Sequence, residues 1–312
     1  MKTLFIAVIG WIVSYIPLPQ KIENILLWPV ASRVLGVDYT QEVRLKNGIR
    51  IQVGMEDALN RALLFKGPYI VYIWEPVTMR LLEMLSRHKK AILIAGSHIG
   101  YTVLMSAKET TGVVVACEPV TYLHDRSKKN FDLNKEKTRI TLVKNALGDK
   151  GGSVEIYVAN IRSSVIPYSG GHTDADKETV KMTTIDILAK ETGHLHFDII
   201  FLDIEGYELF ALEGAKANLA HTPDLILEVC PQVLAKSGQT KEALYNFLQK
   251  RGYSIYIIAD NYESEATSTA PAVGLIPLSS AESIQYAKFR YFNIYATVKD
   301  TKSLSTMATI QS

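Results

Sequence analysis

The chain has 312 residues, enough for one large domain or two modest ones. With 47% hydrophobic and 21% charged residues it reads as an ordinary globular protein with a sizeable core. A formal net charge of +2 without a Lys/Arg block excludes nucleic-acid binding through a basic stripe.

The N-terminus departs from this average. After Lys2 and Thr3, Leu4 to Ile16 is apolar except for Gly10 and Ser14, and Pro17 and Pro19 then interrupt the run. Such a run is short for a bilayer span, which needs roughly 20 residues. It would suit the apolar part of a signal peptide, but no convincing small-x-small cleavage site follows. Trp11, Tyr15 and Trp28 carry the amphipathic rings that settle at headgroup level. Ile22, Ile25, Leu26 and Val30 continue an amphipathic pattern with Lys21 and Glu23 opposite. Residues 1–35 are read as a membrane-seated segment that meets the lipid surface, spanning at a tilt or lying in the interface. The alternative is a helix packed on the protein's own core.

Residues 36–89 form an N-terminal hairpin and helices. Glu42 to Val53 alternates around Asn47-Gly48, the strongest short hairpin signal in the chain. Asp57 to Phe65 and Val77 to His88 are helical by spacing, with Leu81, Leu82 and Leu85 on one face.

From Lys90 to the C-terminus (90–312) strand and helix alternate. Strands are expected at Ala91–Ala95, Val113–Cys117, Ile140–Val143, Val154–Val158, Ile199–Asp203, Leu225–Val229, Tyr253–Ile258 and Phe289–Val298. Helices are expected at Tyr101–Lys108, Thr121–Leu133, Tyr207–Leu219 and Lys241–Lys250, and a Gly/Ser/Asp-rich loop at Ser163–Asp176. This alternation predicts an α/β fold with a mostly parallel sheet covered by helices, the late strand pair allowing one antiparallel strand. Cys117 and Cys230 each follow a strand-like run and read as buried thiols without a disulfide or zinc pattern, which suits a reducing compartment.

The stretch with most chemistry is Phe197 to Glu208, F-D-I-I-F-L-D-I-E-G-Y-E. Its apolar run suits a strand buried on both faces, and it stops in Asp203, Glu205 and Glu208. Alternation along a strand points Asp203 and Glu205 to the same side, while Glu208 falls in the first turn of the next helix. Ligands of open α/β sheets bind beyond the carboxyl ends of the strands, so these acids mark a candidate site. The first strand ends in A-G-S-H-I-G (95–100), where Gly96 and Gly100 let a ligand approach the backbone. About 20 residues on, Glu118 closes the second strand where an acid can grip a ribose diol.

These pieces resemble the FkbM family of S-adenosylmethionine-dependent methyltransferases. The ordered series is A-G-S-H-I-G-Y (95–101), V-V-A-C-E-P (114–119), N-A-L-G-D (145–149), T-T-I-D (183–186), the central stretch (197–208), L-E-G-A (212–215) and P-D-L-I-L-E-V (223–229). The resemblance implies a Rossmann-like, seven-stranded class I methyltransferase sheet. It places Gly96 and Gly100 beside the methionine end of the cofactor and Glu118 on the ribose hydroxyls. Asp149, or the backbone around Asn145 and Ala146, would lie near the adenine. Asp203 and Glu205 would line the cleft where methyl group and acceptor meet, as candidate general bases. The family usually has an acid at Ile94 and Asn at His98; His98 could donate a replacement hydrogen bond or be a plain loop histidine.

The expected function is membrane-associated O-methyl transfer from S-adenosylmethionine, with the methyltransferase domain facing the cytoplasm. The acceptor, a sugar hydroxyl of a glycan or glycolipid, comes from the resemblance only. The alternative is a catalytically silent relative serving as a membrane-associated structural or assembly subunit. An NAD-dependent dehydrogenase is disfavoured, because G-x-G-x-x-G is missing and the central acids would go unexplained. No His cluster supports a metal site.

Overall fold

The computed structural model describes residues 2–15, 23–159, 162–164, 176–259, 270–280, 291–300 and 309–310. Helix α1 (Lys2–Tyr15) opens the chain, and a π-helical turn (Glu23–Leu27) runs into α2 (Trp28–Leu35). Strands β1 (Thr40–Arg44) and β2 (Arg50–Gly54) pair antiparallel with Arg44 opposite Arg50. The predicted Asn47-Gly48 turn joins them, Gly48 at φ +91° where a side chain would be strained. Helix α3 (Ala58–Lys66) is capped by Asp57, which accepts from the Asn60 N–H at 2.6 Å, and α4 (Pro76–Ser86) follows.

The first helix has two apolar faces. Ile6, Gly10 and Val13 are buried, and a Cβ on Gly10 would fall 2.3 Å from the Phe65 carbonyl oxygen of α3. The opposite stripe, Leu4, Val8, Trp11 and Tyr15, is exposed, as are Ile25, Leu26, Val30 and Val34. The Trp28 ring packs tilted against Phe65 with centroids 5.3 Å apart, and Ala31 and Leu35 join the same core. Of the alternatives for residues 1–35, packing on the protein's own core thus holds for one face. Among the described residues no helix is long and apolar enough to cross a membrane.

The larger unit alternates as expected. In chain order it runs β3 (Ala91–Ala95), α5 (Tyr101–Glu109), β4 (Val113–Cys117), α6 (Thr121–Asp132), β5 (Ile140–Val143), β6 (Ala146–Leu147), β7 (Gly152–Ala159), β8 (Arg162–Ser164) and β9 (Asp176–Thr183). There follow α7 (Ile185–Glu191), β10 (Ile199–Leu202), α8 (Glu208–Glu213), α9 (Lys216–Leu219), β11 (Asp224–Val229), α10 (Pro231–Lys236), α11 (Lys241–Gln249), β12 (Ser254–Ile258), β13 (Gly274–Pro277), β14 (Phe292–Thr297) and β15 (Thr309–Ile310). The main sheet has the order β15-β13-β12-β14-β11-β10-β3-β4-β5. From β11 to β5 its strands are parallel, and β14 enters antiparallel between β11 and β12. The seven strands from β12 to β5 are the expected class I sheet; β13 and β15 extend it to nine.

The central strands form because they are short apolar runs that bury both faces. Ile92 and Ile94 of β3 face one core with Leu81, Leu85, Val103 and Phe131, whereas Leu93 and Ala95 face a second with Leu188, Leu212 and Leu248. Two expectations change. The helix foreseen over Tyr207–Leu219 is two short helices, because Gly214 sits against the Gly148 carbonyl, where a Cβ would fall 2.2 Å away. The loop foreseen over Ser163–Asp176 lies largely outside the described residues, and its described ends belong to β8 and β9. Strands β7 and β9 pair antiparallel over Gly152–Val158 and, with β6 and β8, make a second sheet beside the site.

Candidate active site

The carboxyl ends of β3, β4 and β10 lie side by side, so the chain leaving each strand shapes one cleft. Leaving β3, Gly96 turns at φ +79°, and a Cβ there would fall 1.7 Å from the Asp203 carbonyl oxygen. Only glycine lets the turns after β3 and β10 pass this closely. Gly100, at φ +90°, starts α5 with the Phe131 ring against it, where a Cβ would meet Cε1 at 2.5 Å. Between them His98 holds a left-handed φ of +50°, and its N–H donates to Glu118 Oε2 at 2.8 Å. The Val120 N–H donates to Glu118 Oε1 at 3.1 Å. Burial nevertheless pushes the Glu118 carboxyl up to about 8, with the charge of Glu178 adding to the rise against the pull of the two N–H donors.

Gly96, Glu118, Asn145, Ala146 and Asp203 wall one cleft that opens to solvent. The sequence-predicted residues therefore divide. His98, Gly100, Asp149 and Glu205 are not part of that wall. The His98 imidazole Nε2 lies 3.7 Å from Asp57 Oδ2, and Asp149 stands on an exposed turn near the Tyr207 hydroxyl. Ile94 is fully buried in the core facing α4 and α5, so its apolar character answers to packing. Cys117, Leu147, Ile156 and Ile204 also line the cleft and were missed. Ile156 could not be found from the sequence, because only the pairing of β7 with β9 brings it there.

Asp203, where the cleft wall meets the end of β10, has acidic neighbours. Strand β10 ends at Leu202, so Asp203 and Glu205 lie beyond it, and the strand alternation expected to align them does not apply. Glu205 instead takes a left-handed φ of +53° before Gly206. The two carboxyl groups remain electrostatic neighbours. Burial holds the Asp203 carboxyl well above its ordinary range, reinforced by the charges of Glu228, Glu75 and Glu205 and a hydrogen bond with Glu228. Glu75, at the start of α4, accepts from Asn293 Nδ2 at 2.8 Å, and Asn293 sits opposite Glu228 in the β11–β14 pair. Neither Glu75 nor Asn293 stood out in the sequence, lying far apart in isolated apolar contexts. Glu208 turns away: its Oε1 accepts from the Gly206 and Ile204 N–H groups at 3.0 and 3.3 Å, and burial pushes it up to about 8.

A cleft with one deeply buried acid, a glycine turn and apolar walls, closing on carboxyl groups, has the chemistry to hold a nucleoside beside a cation. The profile of the methyltransferase FkbM domain matches residues 95–255, spanning Gly96, Glu118 and Asp203. The chain belongs to the FkbM methyltransferase family. The cofactor that this membership implies is S-adenosylmethionine, which when bound would supply an activated methyl group on a positive sulfonium. The residues present fit that group. Glu118 would accept from the ribose hydroxyls with its remaining lone pairs, and Asn145, Ala146, Leu147 and Ile156 would enclose the adenine. Gly96 would border the methionine part, and Asp203 would face the reacting end.

The chain is also similar to solved methyltransferase structures. The FkbM methyltransferase of Methylobacillus flagellatus is 18% identical with a TM-score of 0.42, over 67% of this chain and 44% of that one. The chain thus spans less than half the length of that relative. An O-methyltransferase of Bacillus cereus, in complex with S-adenosylhomocysteine, is 14% identical over 96% of this chain and 100% of its own, with a TM-score of 0.42. The O-methyltransferase TomG of Streptomyces achromogenes, in complex with S-adenosylmethionine, is 11% identical over 71% and 80%, with a TM-score of 0.39. No curated protein matches the chain.

Proposed function

We propose that the chain transfers the methyl group to a hydroxyl, on a sugar of a glycan or glycolipid, at a membrane surface. Asp203 is the observation that carries hydroxyl transfer. An oxygen nucleophile must approach in line and lose a proton, so the site needs a base beside the methyl position. A carboxyl held above its ordinary range is a stronger base once ionised, and its hydrogen bond with Glu228 gives the proton a second place to sit. A carboxylate at this position would also attract the positive sulfonium. The convergence of Asp203, Glu205, Glu228 and Glu75 supports a sugar, because a polyol presents several O–H donors to carboxylate acceptors.

The exposed apolar stripe supports the membrane part of the reading. Leu4, Val8, Trp11 and Tyr15 follow helical spacing on the outer face of α1, whose inner face is committed to α3. That division favours lying in the interface over spanning. The free cysteines Cys117 and Cys230 suit a catalytic domain on the cytoplasmic side.

The reading is tested by offering methyl-labelled S-adenosylmethionine and lipid-linked glycans to the full chain. A base-stable methyl ether on a sugar is the expected product; label in an ester or on nitrogen would overturn hydroxyl transfer. Sedimentation with vesicles tests the membrane part separately. Val8→Glu and Trp11→Glu should both reduce binding at least tenfold without loss of fold, and unchanged binding would remove the membrane from the reading.

A further inference from the structure

The loop leaving β3 is unusual in its backbone: Gly96, His98 and Gly100 all take positive φ, at +79°, +50° and +90°. For the two glycines this is free of strain; for His98 it is not, and surrounding structure must impose it. The restraints come from α6. Ser127 Oγ donates to the His98 carbonyl, and Asn130 Nδ2 donates to the Ile99 carbonyl at 2.8 Å. Both side chains are completely buried, three residues apart on one helical face. Together with the His98 N–H on Glu118, three successive peptide units of the loop are fixed, two of them from α6 and one from the cleft wall.

Asn130 is itself held. Its Oδ1 accepts from the Gln52 N–H of β2 at 2.7 Å, so one amide joins the N-terminal hairpin to the loop. One turn further along α6, Asn134 grips the same strand, accepting from the Arg50 N–H at 2.9 Å and donating to the Arg50 carbonyl at 2.7 Å. Asn134 also donates to the Asn130 carbonyl at 2.7 Å, and among the described residues it makes no hydrogen bond with the loop. On the other side Arg126 donates to the Gln52 carbonyl at 3.1 Å and to Asn60 Oδ1 at 3.2 Å. Hairpin, helix and loop are one hydrogen-bonded unit, although the hairpin lies outside residues 95–255 of the family match.

We propose that Ser127 and Asn130 are positioning residues for cofactor binding, and that the β1–β2 hairpin, through Asn130, is a working part of the cofactor site. The inference rests on the placement of the cofactor in this cleft. Releasing either carbonyl lets His98 leave its left-handed conformation, and its N–H then leaves Glu118. The buried carboxyl loses a donor that favours its ionised form and fixes its orientation toward a ribose. A loop populated only part of the time in the competent conformation lowers apparent affinity by that fraction.

Asn134 supplies the control, since it ties the same helix to the same strand without a hydrogen bond to the loop. The full chain is titrated calorimetrically with S-adenosylhomocysteine, and amide hydrogen exchange at residues 98–100 is followed in the ligand-free protein. Ser127→Ala should weaken binding about five- to tenfold and accelerate exchange in the loop; Asn130→Ala should do both more strongly. Asn134→Ala, at a comparable drop in melting temperature, should keep its Kd within twofold of the parent. Equal weakening by Asn134→Ala and Ser127→Ala at equal loss of stability would reduce the network to a structural role. Faster exchange in Ser127→Ala with unchanged affinity would separate the loop from the cofactor site and overturn the proposal. Ser127→Ala removes a single hydroxyl and decides the matter even if Asn130→Ala does not fold.

Discussion

Glu118 and Asp203 follow the two strands that flank β3, yet they are held in opposite ways. Glu118 receives backbone N–H groups from His98 and Val120, so each carboxyl oxygen has a fixed donor. Asp203 is surrounded by like charge from Glu228, Glu75 and Glu205. The first arrangement fixes an acceptor in space, which is what recognition of a ribose diol needs. The second keeps a proton in play, which is what deprotonation of an acceptor needs. On the proposed reading, the cleft would separate binding from chemistry by the partners it gives two similar side chains.

That contrast breaks most visibly at Asp203. Asp203→Asn keeps shape and hydrogen bonding but removes the basic site. Single-turnover methyl transfer should fall about 100-fold or more while S-adenosylhomocysteine binding changes less than twofold. Glu205→Gln should behave similarly if the two acids act as a pair, and the double variant should then fall far short of the product of the two losses. Turnover within a few-fold of the parent in both would remove these acids from the mechanism.

The mirror-image experiment is Glu118→Ala, read as affinity. Losing this buried acceptor should cost about 1–3 kcal/mol, roughly a 5- to 150-fold rise in Kd, with the rate at saturating cofactor little changed. A loss in rate without a loss in affinity would interchange the two roles.

Glu75→Gln sharpens the contrast more gently. It removes one negative charge near Asp203 and keeps the acceptor for Asn293. The Asp203 carboxyl should then ionise more readily, and the acid limb of the kcat profile should move about one pH unit lower. An unmoved limb would show that Glu75 does not tune the base.

The smallest effect concerns stability. Glu208 is raised from the ordinary 4.5 to about 8 by burial, so the folded state prefers its protonated form. Its stabilisation is full below about pH 4.5 and is lost as pH rises through about 8. Thermal melts should show stability falling from pH 5 to pH 8.5, with Glu118 contributing in the same sense. Glu208→Gln retains an acceptor for Gly206 and Ile204 and should flatten the slope by a few degrees. An identical slope in parent and variant would assign the pH dependence elsewhere.

The central strands were legible because burial on both faces demands continuous apolar runs, as in Ile199–Leu202 and Val113–Cys117. Gly96 and Glu118 were legible because a close backbone approach and an acid at a strand end leave local marks. Strand β9 was not, since a strand of polar side chains around Val180 and Met182 carries no such run. The outer stripe of α1 was visible as apolar, but the sequence could not say that the inner stripe would be taken by α3. Both faces of that helix are hydrophobic, and periodicity alone does not choose between them.

The sequence by itself determined the α/β order, the glycine turn after β3, and the acids that close β4 and β10. Those features depend on residues adjacent in the chain, where propensity, alternation and turn chemistry act. Only the tertiary structure decided which acids share an environment. It brought Glu75, Glu228 and Asn293 around Asp203, turned His98 toward Asp57, and placed Ile156 in the cleft wall. Electrostatic coupling and hydrogen bonding depend on distance in space, so side chains separated by 218 positions, as Glu75 and Asn293 are, meet only when the sheet is assembled.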